Sequence, residues 1–211
     1  MVSCLAKLIT LVILIIQIYY AMIMPRLMYL LSPSMEKKTP PTHKRAAAFA
    51  LSRMILAGLE AEDPTVDIRQ LIINWSLLDA FRTQDRKTVQ PQSDIHEKME
   101  KAHEIVLTSG SFLPTSAILT LSTILTNTDP SPELISTLVQ PIVPQLYSLY
   151  EHLQNSKAVD PVLLETIEGL LSTWARAATR SEAVEILWEI IDGEAWDWDV
   201  GEDGDLCITQ R

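Results

Sequence analysis

The chain has 211 residues, enough to bury a real core as one domain with an appendage. Hydrophobic residues make up 47%, but there are only six glycines and aromatics reach 6%, so Leu/Ile/Ala-rich helices are expected and turn-rich sandwiches are disfavoured. The net charge of −10 excludes a phosphate-tracking surface, because nucleic-acid binders need clustered Lys and Arg to release counterions.

From Leu8 to Pro25 the sequence carries no charged residue, and it is bracketed by Lys7 and Arg26. Leu8, Ile13, Ile16, Tyr19 and Met24 mark its length, and every helical face is apolar. At about 1.5 Å per residue such a helix reaches roughly 27 Å, just short of a hydrocarbon core of about 30 Å. Three readings stand. As a single membrane span, residues 8–25 would leave the body cytoplasmic, because Arg26, Lys37, Lys38, Lys44 and Arg45 outnumber Lys7. A cleaved signal peptide is disfavoured by the bulky residues Met22 to Met24 and Pro25, which leave no small-x-small site. The remaining reading, compatible with a cytoplasmic or nuclear chain, is an inner helix of the fold covered by its neighbours. Cys4 adjoins the run and is read as an unmodified thiol; with Cys207 at the other end it forms no CxxC pair, so neither zinc nor a disulfide framework is indicated.

The hydrophobic head is assigned to residues 1–31 and a polar, Pro-containing linker to 32–43. The helical body follows over 44–193. Ala47, Leu51, Met54, Ile55, Gly58 and Leu59 recur at helical spacing. Asp63-Pro64 then reads as a cap with proline in the first turn, opening a helix whose stripe includes Ile68, Leu71, Ile72 and Leu78. A polar stretch from Arg82 to Gln92 separates this hairpin from a third helix, expected from Ser93 to Leu107. A fourth follows Pro114, with Ile118, Leu121 and Leu125 inward, and ends at the turn run Asn127 to Pro132.

The next unit starts near Glu133 and contains Pro141 and Pro144, which delete backbone donors and should break that helix. Asp160-Pro161 repeats the earlier cap and opens the clearest stripe in the chain, Leu163, Ile167, Leu170, Leu171 and Trp174. The last helix is expected from Ser181 to Ile191, stopped by Gly193, with Val184, Leu187, Trp188 and Ile191 inward. Hairpins thus start near residues 43, 94 and 132, a spacing that suits HEAT or armadillo units. The expected fold is all-α, a HEAT/armadillo-like α-solenoid of stacked hairpins with an N-terminal hydrophobic helix. Residues 194–211 are expected to form an acidic tail. Ten acids and no Lys or Arg lie between Ser181 and Asp205.

Little in this sequence supports chemistry. His96, Glu100 and His103 share a helical face, but a spacing of seven separates the imidazoles by about 10 Å, too far for one zinc. The acids from Asp197 to Asp205 miss the EF-hand register, with Gly201 at the fifth position and Ile208 at the twelfth. Asn74-Trp75-Ser76 matches a glycosylation sequon by chance inside a helix. With no Gly-rich phosphate loop, GxSxG elbow or Cys/His pair, no enzymatic activity, catalytic residue, cofactor, metal or small-molecule substrate is expected. Trp174 and Trp188 are read as core. Trp196 and Trp198, beyond the helix stop, are candidate partner-binding anchors, or pack back on the last helix.

Three runs carry a family likeness: DPSPELISTLVQPIVPQLYSLYEHL from Asp129 to Leu153, DPVLLETIEGLLSTWARAA from Asp160 to Ala178, and EAVEILWEIIDGE ending at Glu194. Together with the looser KRAAAFALSRMI from Lys44 to Ile55, they resemble the C-terminal HEAT-like region of the transport and Golgi organisation protein 6 family, which includes the fungal RNA polymerase II assembly factors. Members of that family are far longer. The resemblance implies a non-catalytic scaffold that engages protein partners, either RNA polymerase II subunits during assembly and nuclear import or transport factors. It also implies an alternative, a membrane-anchored body acting in secretory-pathway organisation.

Overall fold

A computed structural model describes residues 19–20, 22–33, 38–56, 73, 77–81, 113–129, 131–156, 160–192, 196–200 and 206–210. Residues 19–20 and 22–31 are helical, and we label 22–31 α1. It is followed by α2 (Pro41–Leu56), a 3-10 turn at Leu78–Phe81, α3 (Pro114–Thr126), α4 (Pro132–Leu138), a 3-10 turn at Gln140–Ile142, α5 (Val143–Asn155), α6 (Pro161–Ala177) and α7 (Arg180–Asp192). Two short strands, β1 (Trp196–Val200) and β2 (Leu206–Gln210), close the order. The described residues are mostly helical, as composition and periodicity lead one to expect.

Proline sets most of the helix starts. Pro41, Pro114, Pro132 and Pro161 each open a helix, where the missing N–H would have no partner in any case. Asp160 Oδ1 accepts from the Val162 N–H at 3.0 Å, and Ser131 Oγ accepts from the Leu134 N–H at 3.2 Å. Pro141 and Pro144 do break the chain as expected: α4 stops at Leu138, and α5 restarts at Val143 after a tight turn. At Asn127 the side-chain Nδ2 donates to the Thr123 carbonyl at 2.8 Å and satisfies one of the last acceptors of α3.

A single apolar cluster unites the elements. Ile118, Leu121 and Ile124 of α3, Leu134 and Leu138 of α4, Leu146 and Leu149 of α5, and Ile167 of α6 are fully buried in it. The α6 stripe faces inward, with Leu163, Ile167, Leu170 and Trp174 buried and Leu171 packed at its margin. This helix lies against α3, α4 and α5 at once, while α2 lies against α3 and α4. Met24, Met28 and Leu31 of α1 join the same core, as does Leu78. Among the described residues no helix is long and apolar enough to cross a membrane.

Three expectations are corrected. The segment expected as linker is helical from Pro41, because proline tolerates a first-turn position as readily as a linker one. Residues expected as an acidic tail form an antiparallel hairpin, with Trp198 opposite Ile208 and Val200 opposite Leu206. Trp198, Leu206 and Ile208 are buried, and Asp199 and Cys207 are exposed, which is the two-residue alternation of a half-buried ribbon. The last helix is the third correction: Val184, Leu187, Trp188 and Ile191 point outward.

Candidate partner-binding face

The outward turn of α7 follows from what holds it. Only Ala178 and Thr179 separate α6 from α7, so the direction of the chain is fixed at the turn. Thr179 and Glu182 then form a capping box. The Glu182 carboxylate accepts from the Thr179 N–H at 2.8 Å and from the Thr179 hydroxyl at 2.6 Å, while the Glu182 N–H reaches back to Thr179 Oγ1 at 3.4 Å. These bonds hold the Glu182 carboxyl below its usual range, led by the hydroxyl and followed by the backbone donor. The sequence suggested a start at Ser181 and missed the box, although the T-x-x-E spacing is its signature.

Beyond the cap, α7 has two apolar lines, and the body takes the narrower one. Ile186 is buried, Ala183 and Ile190 pack at its margin, and the helix leans on α5. The wider line is left at the surface, with Val184 44%, Leu187 50%, Trp188 58% and Ile191 69% exposed. Positions i, i+3, i+4 and i+7 make a continuous seam along about two turns. Trp188, read from sequence as core, is therefore a surface residue. The mistake has a physical source, since periodicity reveals that a face is apolar and not which neighbour covers it.

Charge surrounds this seam on one side. At 100° per residue, Glu185, Glu189 and Asp192 run along a single flank, and all three are exposed. The opposite flank is the side that meets the body. Arg180 is the only base on the helix and sits at its amino end.

The hairpin secures the far end. Strand β1 lies on α5 and β2 touches α3, and Ser148 Oγ of α5 donates to the Trp196 carbonyl at 2.7 Å. Trp198 is only 6% exposed and belongs to the core, and Trp196 packs against it, so the indoles expected to anchor a partner are committed to the fold instead. Among the described residues the hairpin's main contacts are with α5 and α3. WDWDV and LCITQ carry an alternation that could have revealed it.

A concavity of about 460 Å³ opens between α3 and α6 and is lined by residues that include Ser122, Thr126, Val162, Glu165, Gly169 and Thr173. The hydroxyls of Thr126 and Thr173 donate to carbonyls of their own helices, at 2.7 Å each. They present only acceptor capacity to a visitor. Among the described residues no group of three or more His, Cys, Asp or Glu gathers where it could hold a metal.

Of the residues expected to mark a membrane segment, Met24 is buried in the core and Tyr19 is exposed, while Leu8, Ile13 and Ile16 lie outside the described residues. Outside them too are Cys4, the Asp63-Pro64 cap with Ile68, Leu71 and Ile72, the sequon at Asn74, the expected helix Ser93 to Leu107 with His96, Glu100 and His103, and the acids Glu202, Asp203 and Asp205. No family model, no curated protein and no solved structure matches the chain.

Proposed function

We propose that the protein is a non-catalytic helical scaffold whose working surface is the outward seam of α7. The observation that carries this reading is the exposure of four large apolar side chains in one line, on a helix that already buries a second face. A soluble helix gains nothing by showing such a line to water, and contiguous apolar patches of this kind mark interaction sites. What supports stacked HEAT-like hairpins is that α6 touches α3, α4 and α5 together, as a repeat helix meets its own partner and the preceding unit. The runs beginning at Asp129, Asp160 and Glu182 favour RNA polymerase II subunits as the partners, in assembly and nuclear import.

The test is capture from cells with the tagged full chain, beside the variants Leu187→Glu and Trp188→Glu. Polymerase subunits should be recovered with the native chain and lost with both variants. Equal recovery with all three would overturn the reading.

The apolar stretch from Leu8 to Pro25 supports a second reading, a body anchored at an endomembrane. Carbonate extraction separates the two: an anchored chain stays with the membrane pellet, and the scaffold leaves it. The burial of Met24 favours the scaffold, because the carboxyl end of that stretch is already used by the core, as is Met28 just beyond it.

A further inference from the structure

We infer that the occupant of the α7 seam is a basic amphipathic helix of a partner protein, which lies alongside α7 in coiled-coil fashion. The inference deepens the scaffold reading and rests on it. Val184, Trp188 and Ile191 follow the 4-3 spacing of d, a and d positions, with Leu187 at g. In that register Glu185 and Asp192, seven residues apart, both fall at e. Side chains at e and g choose the partner in such pairings, so acids there select Lys or Arg on the facing helix. Both carboxylates are exposed, beside a seam that would exclude water once covered.

Charge also disfavours several other occupants. A second copy meeting this face antiparallel would set Glu185 and Asp192 against their own duplicates, and like charges across a seam are repelled. The chain's own stretch from Arg82 to Glu104 has five bases and five acids, and it offers no net attraction. An anionic bilayer is repelled by the same carboxylates. What remains favoured is a helix with an apolar a/d line and a basic margin, the helix-in-groove mode of recognition.

The experiment uses the full chain and two labelled peptides about three heptads long, both with Leu at a and d, one with Lys at e and g and its twin with Glu there. Fluorescence anisotropy should report binding of the Lys peptide at least about tenfold tighter than its twin, with the preference shrinking as salt rises. The double variant Glu185→Lys/Asp192→Lys should reverse the preference, and Trp188→Glu should abolish binding of the Lys peptide while leaving the helical circular dichroism unchanged. Equal affinities for the two peptides, no binding of either, or a preference indifferent to charge reversal would overturn the inference. So would sedimentation as a dimer that Trp188→Glu dissolves, since a second copy would then be the occupant. If cellular capture depends on Leu187 and Trp188 while the peptides are not discriminated, the inference alone falls; if capture ignores those residues, the scaffold reading falls with it.

Discussion

The hydroxyl of Ser148, midway along α5, donates a hydrogen bond of 2.7 Å to the carbonyl of Trp196, 48 residues further on, at the first residue of the hairpin. It joins the strand pair to the helix on which α7 also leans. Ser148→Ala removes the donor from a half-buried site and should cost about 1 kcal/mol in urea unfolding. Amide hydrogen exchange in β1 and β2 should quicken more than in α6.

Trp198 is the hairpin's main hold on the core. Trp198→Ala should destabilise the protein by about 3–5 kcal/mol, the range for deleting a large buried aromatic. Trp196→Ala, at a partly buried position, should cost less. If thermal denaturation ranked the two in the opposite order, the packing of the ribbon would have to be redrawn.

The seam behaves differently. Leu187→Glu and Trp188→Glu alter exposed side chains, so each should change stability by no more than about 0.5 kcal/mol. A loss of several kcal/mol in either variant would mean that this face is covered within the free protein.

Gly169 lies on the exposed side of α6, and a methyl group added there meets nothing. Gly169→Ala should therefore stabilise the protein by about 0.5–1 kcal/mol through the helical backbone alone. A shift of the urea midpoint to higher concentration checks it.

Acid should weaken the start of α7. The hydrogen bonds from Thr179 lower the Glu182 carboxyl in the folded state relative to the unfolded chain. Its contribution is thus complete above the unfolded carboxylate value and is lost as pH falls through the folded one. Glu133 has the same sign, lowered first by its own backbone N–H and then by Ser131. In Glu182→Gln the acid-induced change at the Thr179 amide resonance should disappear.

Much of the helical body was legible because the signals were local. Pro114 and Asp160-Pro161 gave starts, the proline pair Pro141 and Pro144 gave a break, and the spacing of Leu163, Ile167, Leu170 and Trp174 gave a buried face. The hairpin was not legible in the same way: its acids dominated the composition and concealed the alternation of Trp196, Trp198 and Val200 with Asp197 and Asp199. The site was hidden for another reason. Val184, Leu187, Trp188 and Ile191 were recognised as an apolar line, but the direction in which it points depends on the two-residue turn before it and on which side of α5 is free.

Between its capped start and the ribbon that follows it in sequence, α7 is seated on Ile186, with Ala183 and Ile190 packed at the margin. A contact line this narrow costs little to shift, because few buried apolar atoms change neighbours when the rod turns. On the scaffold reading proposed above, such a seat would let the seam align itself on partner helices of somewhat different girth.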